Sequence, residues 1–220
     1  MKKILLLIKK SKSALHRFIL NQYRYLVLVN QGNTIGCNCY VSKLAKLDGE
    51  NKIGDKTIIG DHVWLKKGAR ICNNSVLDNI EIGLNSFVES GVICTGYGEG
   101  KIIIGDESYI GINNILDWSS NISIGNFVHV AGPSTGLWTH SSAKMCIYGI
   151  PLETKDQKFR PTAPIVIEDN VYIGGNCTIY PGVVVHHHAI VAPNSVVTKD
   201  VDAYTMIGCG SAQFVKKIRL

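Results

Sequence analysis

An aliphatic side chain falls on every sixth residue over long stretches of this chain, a spacing that few folds tolerate. The first run is Ile35, Val41, Leu47, Ile53, Ile59, Leu65, Ile71 and Leu77; the second is Ile167, Ile173, Ile179, Val185, Val191 and Val197. Four residues after most of these aliphatics stands a small or β-branched side chain, as at Cys39, Ala45, Thr57, Val63, Ala69 and Ser75, and again at Val171, Cys177, Val183, Ala189, Ser195 and Val201. Gly, Asp and Asn cluster just after the aliphatic, as in Ile53-Gly54-Asp55 and Ile124-Gly125-Asn126, and these residues accept turn conformations. A helix of about 3.6 residues per turn would wind such a stripe around its whole circumference. Hairpins would alternate over longer strands. Short strands stacked in parallel about 4.8 Å apart instead bury two positions per hexad in one continuous column, so the expected fold is an all-β parallel helix, a solenoid.

Between the two runs the register slips, from Ile82, Val88 and Cys94 to Ile104, Ile110 and Leu116, then to Ile124 and Val130. The slips predict small bulges at 97–101 and 118–121. The largest interruption, an inserted loop over 136–166, carries Pro151, Pro161 and Pro164. A long irregular loop on a compact repeat is more often functional than decorative. The organisation read from the sequence is therefore a basic amphipathic helical segment over 1–34, a β-helix over 35–202, and a tail over 203–220.

With 45% hydrophobic and 18% charged residues in a chain of 220, a sizeable core is affordable and global disorder is excluded. The net charge of +6 is concentrated at the start, where Lys2, Lys3, Lys9, Lys10, Lys12, Arg17 and Arg24 all precede the first acid, Asp48. The remainder is near neutral, which argues against nucleic acid as a partner. Residues 1–24 either cap or oligomerise the solenoid, or meet anionic lipid headgroups as a surface helix. Lys9 and Lys10 interrupt the only apolar run near the start, so neither a cleaved leader nor a spanning helix is expected. Seven cysteines without a CxxC pair fit free thiols in a reducing, cytoplasmic compartment.

Of seven histidines, His16 falls in the basic segment, His62 and His129 inside hexads, and His186, His187 and His188 in one turn of the second run. His140, in Trp138-Thr139-His140-Ser141, stands in the long interruption. An imidazole that titrates near neutrality can accept a proton and return it, which is the chemistry of acyl transfer. On the residues alone a plain loop histidine is the commoner reading.

The hexad [Ile/Val/Leu]-Gly-x-x-[small]-x, together with the run from Ile173-Gly174-Gly175 to Val197-Thr198-Lys199-Asp200, resembles the hexapeptide-repeat acyltransferases, in their maltose, galactoside and polysaccharide O-acetyltransferase branch. The resemblance covers 35–219. It implies a left-handed β-helix assembled as a homotrimer, with acetyl-CoA as co-substrate and no metal. By the same resemblance His140 is the general base, either acting directly or, less simply, through Cys146 as nucleophile. Asn113, Asn114, Asp117, Trp138 and Tyr148 are implied acceptor contacts. Tyr172, Gly174, Gly175, Ala192, Pro193, Thr198, Lys199, Lys216, Lys217 and Arg219 are implied CoA contacts. Tyr172 stands where the family commonly has Trp, and Gly208-Cys209-Gly210 replaces its usual Gly-x-Pro. The expected reaction is acetylation of a hydroxyl on a sugar or surface-polysaccharide precursor at the inner membrane face. N-acetylation of an amino sugar, a zinc-dependent carbonic anhydrase and a non-catalytic solenoid are the alternatives. Three adjacent histidines at 186–188 point in different directions, which disfavours the zinc reading.

Overall fold

Strands of two or three residues occur hexad by hexad, and in most the side chains alternate between inside and outside. Lys52 is exposed while Ile53 beside it is buried; the same pairing recurs in Ile58–Ile59 and Arg70–Ile71. In the computed structural model, which describes residues 24–154, 156–208, 210–211 and 213–217, these strands stack into sheets of 10, 9 and 7 strands. Successive strands visit the sheets in turn. Thr34–Ile35 opens the first, Tyr40–Val41 the second and Lys46–Leu47 the third, after which Lys52–Ile53 returns to the first and pairs in parallel with Thr34–Ile35. The fold is therefore the expected parallel β-helix, a three-sided prism.

Aliphatics fill the prism axis, with Ile59, Leu65, Leu77, Ile110, Leu116 and Leu137 wholly shielded from solvent. The small inward position of each hexad does a second job. Ser108 N–H donates to Ser86 Oγ, and Ser108 Oγ donates to the Gly125 carbonyl. Thr135 Oγ1 likewise donates to the Gly174 carbonyl, so hydroxyls tie the turns of neighbouring coils together. One residue earlier the backbone enters the left-handed region, with φ of 56° at Asn38, Lys56 and His62 and 59° at His188. Asparagine suits that conformation, and His62 and His188 occupy it as turn residues.

Both ends carry non-repeating chain. Residues 24–30 are helical, Leu28 joins the core, and Arg24 donates to the carbonyls of Lys43 and Ala45. Residues 1–23, which hold most of the expected amphipathic helix and its lipid contact, lie outside the described residues. At the other end the solenoid outruns the boundary read from the sequence. Thr205–Gly208 extends the first sheet and Gly210–Ser211 the second, and Gln213–Lys217 then folds back antiparallel on Thr205–Gly208. The insertion is also shorter than 136–166, because Gly136–Leu137 and Ile165–Ile167 are strands of the second and third sheets. Leu137 and Ile165 hold that register by being buried. Among the described residues no helix is long and apolar enough to cross a membrane.

Because Leu116 is enclosed on every side, Leu116→Ala is expected to lower unfolding free energy by about 2–5 kcal/mol. Lys52→Ala, on the outer face, is expected to change it by less than about 0.5 kcal/mol; denaturant midpoints measure both.

Candidate active site

The three long excursions of the middle coils leave the prism at the edge between the second and third sheets. The segments are 96–101, 118–121 and 138–164, each lying between a strand of the second sheet and the next strand of the third. The first two lie against each other: Tyr97 N–H donates to Ser119 Oγ, Lys101 N–H to Asn121 Oδ1, and Trp118 N–H to the Thr95 carbonyl. The third returns on itself, since Ser141 N–H donates to the Pro161 carbonyl, Ala163 N–H to the Thr139 carbonyl, and His140 bridges Thr162. That short zipper fixes His140 at the root of the insertion.

Asp117, the last residue of strand Ile115–Asp117, is completely buried beneath it. Its Oδ2 stands 2.6 Å from His140 Nδ1 and accepts from Thr139 N–H at 2.9 Å. Its Oδ1 accepts from Ser119 Oγ at 2.6 Å and from Ser119 N–H at 3.1 Å. Burial pushes this carboxyl up, but the hydrogen bonds from Ser119, His140 and Thr139 outweigh burial and hold it below the usual carboxylate value. An ionised carboxylate only accepts, so Nδ1 of His140 carries a hydrogen, and in the neutral ring the lone pair then lies on Nε2. The ring is 20% exposed, and Tyr97 meets it edge to face with centroids 4.9 Å apart. Beside it opens a cleft of about 1020 Å³, lined by Tyr97, Ser119, Arg160 and Thr162 among others.

The residues singled out from the sequence divide among different places. Asp117 joins His140 as its carboxylate partner. Asn113 and Asn114 lie one edge away, between the first and second sheets. Asn113 is an exposed turn residue with φ 55°; Asn114 is buried, donating to the carbonyls of Val130 and Ala131 and accepting from Thr135 N–H. Trp138 is half-buried at the start of the excursion. Tyr148 is exposed beyond helix Ala143–Ile147, packed edge-on against Phe159 6.2 Å away, and Cys146 is exposed on that helix. Ser119, Tyr97 and Arg160 were missed; the register slip directly after Asp117 was the signal for the first.

The CoA set divides as well. Thr198 and Lys199 are exposed on the His140 edge, after strand Ser195–Val197, which lies two strands beyond Gly136–Leu137 in the second sheet. Gly174, Gly175, Ala192 and Pro193 lie on the edge between first and second sheets, and a Cβ on Gly174 or Gly175 would collide with Pro193 or Gly132 of adjacent coils. The close approach those glycines permit is thus between coils. Tyr172 faces outward from the first sheet, with His129 5.4 Å away. Lys216 and Lys217 belong to the returning strand Gln213–Lys217, and Arg219 lies outside the described residues. His186 accompanies Glu168 and His187 pairs with His188, on the edge between the third and first sheets. Among the described residues no group of three His, Cys, Asp or Glu side chains is arranged to hold a metal ion.

Residues 164–199 match the family described as bacterial transferase hexapeptide (six repeats). A protein of Saccharomyces cerevisiae, named as a candidate acetyltransferase, is 30% identical over 134 residues, which are 61% of this chain and 64% of that one. A chloramphenicol acetyltransferase of Klebsiella aerogenes is 36% identical over 59 residues, 27% of this chain and 28% of its own. The chain spans less than two thirds of the length of these curated relatives. AntD from Bacillus cereus, an N-acyltransferase solved with dTDP-4-amino-4,6-dideoxyglucose and coenzyme A, matches 85% of this chain and 84% of its own, with a TM-score of 0.55 and 21% identity. That likeness is one of fold.

The lowered carboxyl of Asp117 has a consequence for stability. Its contribution is present above the unfolded carboxyl range and is lost as pH falls through the lower folded value. The stability difference between wild type and Asp117→Asn is therefore expected to be largest near about pH 6 and to shrink by about pH 3, measured by denaturant unfolding at both.

Proposed function

We propose that this chain, a member of the hexapeptide-repeat acyltransferase family, moves an acetyl group from acetyl-CoA to a hydroxyl of a sugar or surface-polysaccharide precursor, with His140 as general base. The observation that carries the reading is the 2.6 Å contact between His140 Nδ1 and the buried carboxylate of Asp117. It leaves Nε2 as the proton acceptor beside a cleft of substrate size.

Acetyl-CoA, when bound, supplies the thioester carbonyl. His140 Nε2 takes the proton of the acceptor as its oxygen attacks that carbonyl, and the imidazolium then returns the proton to the departing sulfur. Asp117 stabilises the imidazolium and keeps the ring in the tautomer that can accept. Ser119 and Thr139 hold the carboxylate still. Thr198 and Lys199, two strands along the same edge, suit the remainder of an elongated co-substrate. An amine in place of the hydroxyl is the second reading; an N-acyltransferase of Bacillus cereus shares the fold. The basic opening of the chain supports acceptors assembled at the cytoplasmic membrane face.

We further propose a homotrimer. Gly174, Gly175, Ala192 and Pro193 lie on a different edge from His140, and a second copy would bring the two edges together across one cleft. The outer face of the second sheet supports this: Tyr40, Ile58, Ile93 and Val196 are all exposed along it. An apolar stripe of that length suits a partner.

Acceptor-dependent thiol release is expected to fall about 10²- to 10⁴-fold in kcat for His140→Ala, with KM for acetyl-CoA little changed. Asp117→Asn is expected to fall within the same range, through the wrong tautomer. Equal turnover in wild type and His140→Ala overturns the assignment. Sedimentation equilibrium is expected to give three times the chain mass of 24.1 kDa, and Ile58→Glu combined with Ile93→Glu to shift the population to monomer.

A further inference from the structure

Arg160 sits two residues before the Thr162 that bridges His140, so the zipper at the root of the insertion also fixes this arginine beside the site. Its guanidinium lies over the ring of Tyr97, 3.8 Å from the centroid, and that ring in turn meets His140. Stacking occupies the face of a guanidinium and leaves its in-plane N–H donors free. Here they stay free: among the described residues Arg160 forms no ion pair, and its buried Nε has no hydrogen-bond partner. The buried hydroxyl of Tyr97 is unpartnered too. Both residues line the cleft, where Glu99 and Glu153 also stand, exposed, without reaching the guanidinium. A permanent cation with unmet donors at the inner wall of a cleft costs stability unless a ligand completes it. An oxygen pair in the guanidinium plane, as in a phosphate or carboxylate, meets those donors best.

We propose that Arg160, stacked on Tyr97, is the anion-recognition residue of the acceptor cleft, so that the acceptor carries a phosphate or carboxylate near the group that is acetylated. This deepens the acetyltransferase reading above and rests on it for the identity of the cleft.

The test uses three matched sugars, glucose, glucose 6-phosphate and glucuronate, titrated by calorimetry into the full chain with the CoA site filled by saturating CoA. At least one anionic sugar is expected to bind wild type about 10-fold or more tightly than glucose. Arg160→Gln is expected to reduce that preference about 10- to 100-fold, and Arg160→Lys to restore part of it. Which anion responds distinguishes a phosphate from a carboxylate. Equal affinity for all three sugars in wild type overturns the inference, as does an Arg160→Gln loss that is as large for glucose as for the anions. Thiol release from acetyl-CoA with the same sugars, compared between wild type and His140→Ala, tests the parent reading separately, because binding is read without turnover.

Discussion

A single rung of this prism cannot hide its own aliphatic side chains or satisfy its own backbone; only the next rung does both. Ile35 lies under Ile53 and Ile53 under Ile71, while the amides of each strand donate to the carbonyls of its neighbour. Each coil is therefore as firmly placed as the coils beside it, and the column behaves as one rigid body built by repetition. Strand positions cannot drift without turning buried side chains to the solvent. Variation is confined to the corners, and at one corner the chain has used it three times in successive coils.

The site takes its precision from that rigidity and pays for it locally. Strand Ile115–Asp117 breaks the alternation that its neighbour Ile93–Thr95 keeps, with Leu116 and Asp117 both buried. A carboxylate inside a hydrophobic column is tolerable only when its oxygens are filled, and four donors from Ser119, Thr139 and His140 fill them. Local rules tend to fail where function requires it. The same donors that make the burial affordable hold the imidazole in one orientation.

The prism was legible because its period of six is written in residue types that cannot be exchanged between inside and outside. His140 was legible because it interrupts that period. Asp117 was visible as a polar residue one coil earlier, yet its pairing with the imidazole was not, since their separation of 23 residues depends in part on the length of the bulge at 118–121. Asn114 carries the opposite lesson: the family resemblance implied a substrate contact, whereas the inward position of a hexad gives the same amide a role in tying turns together. Arg160 was hidden for a plainer reason. It lies in the aperiodic segment, where nothing in the spacing says that the chain doubles back to Thr139.

The described ends of the first sheet differ from the rungs between them. Strands with unpaired edges recruit identical strands, and a prism made only of rungs would lengthen into a filament by stacking prism on prism. At the far end the strand Gln213–Lys217 runs against the direction of all the others in its sheet and presents the wrong polarity to an incoming copy. At the near end helical residues 24–30 sit where a preceding rung would otherwise dock. Chain direction changes at one end of the first sheet and secondary structure at the other, so among the described residues neither end of that sheet offers an incoming copy a plain parallel rung.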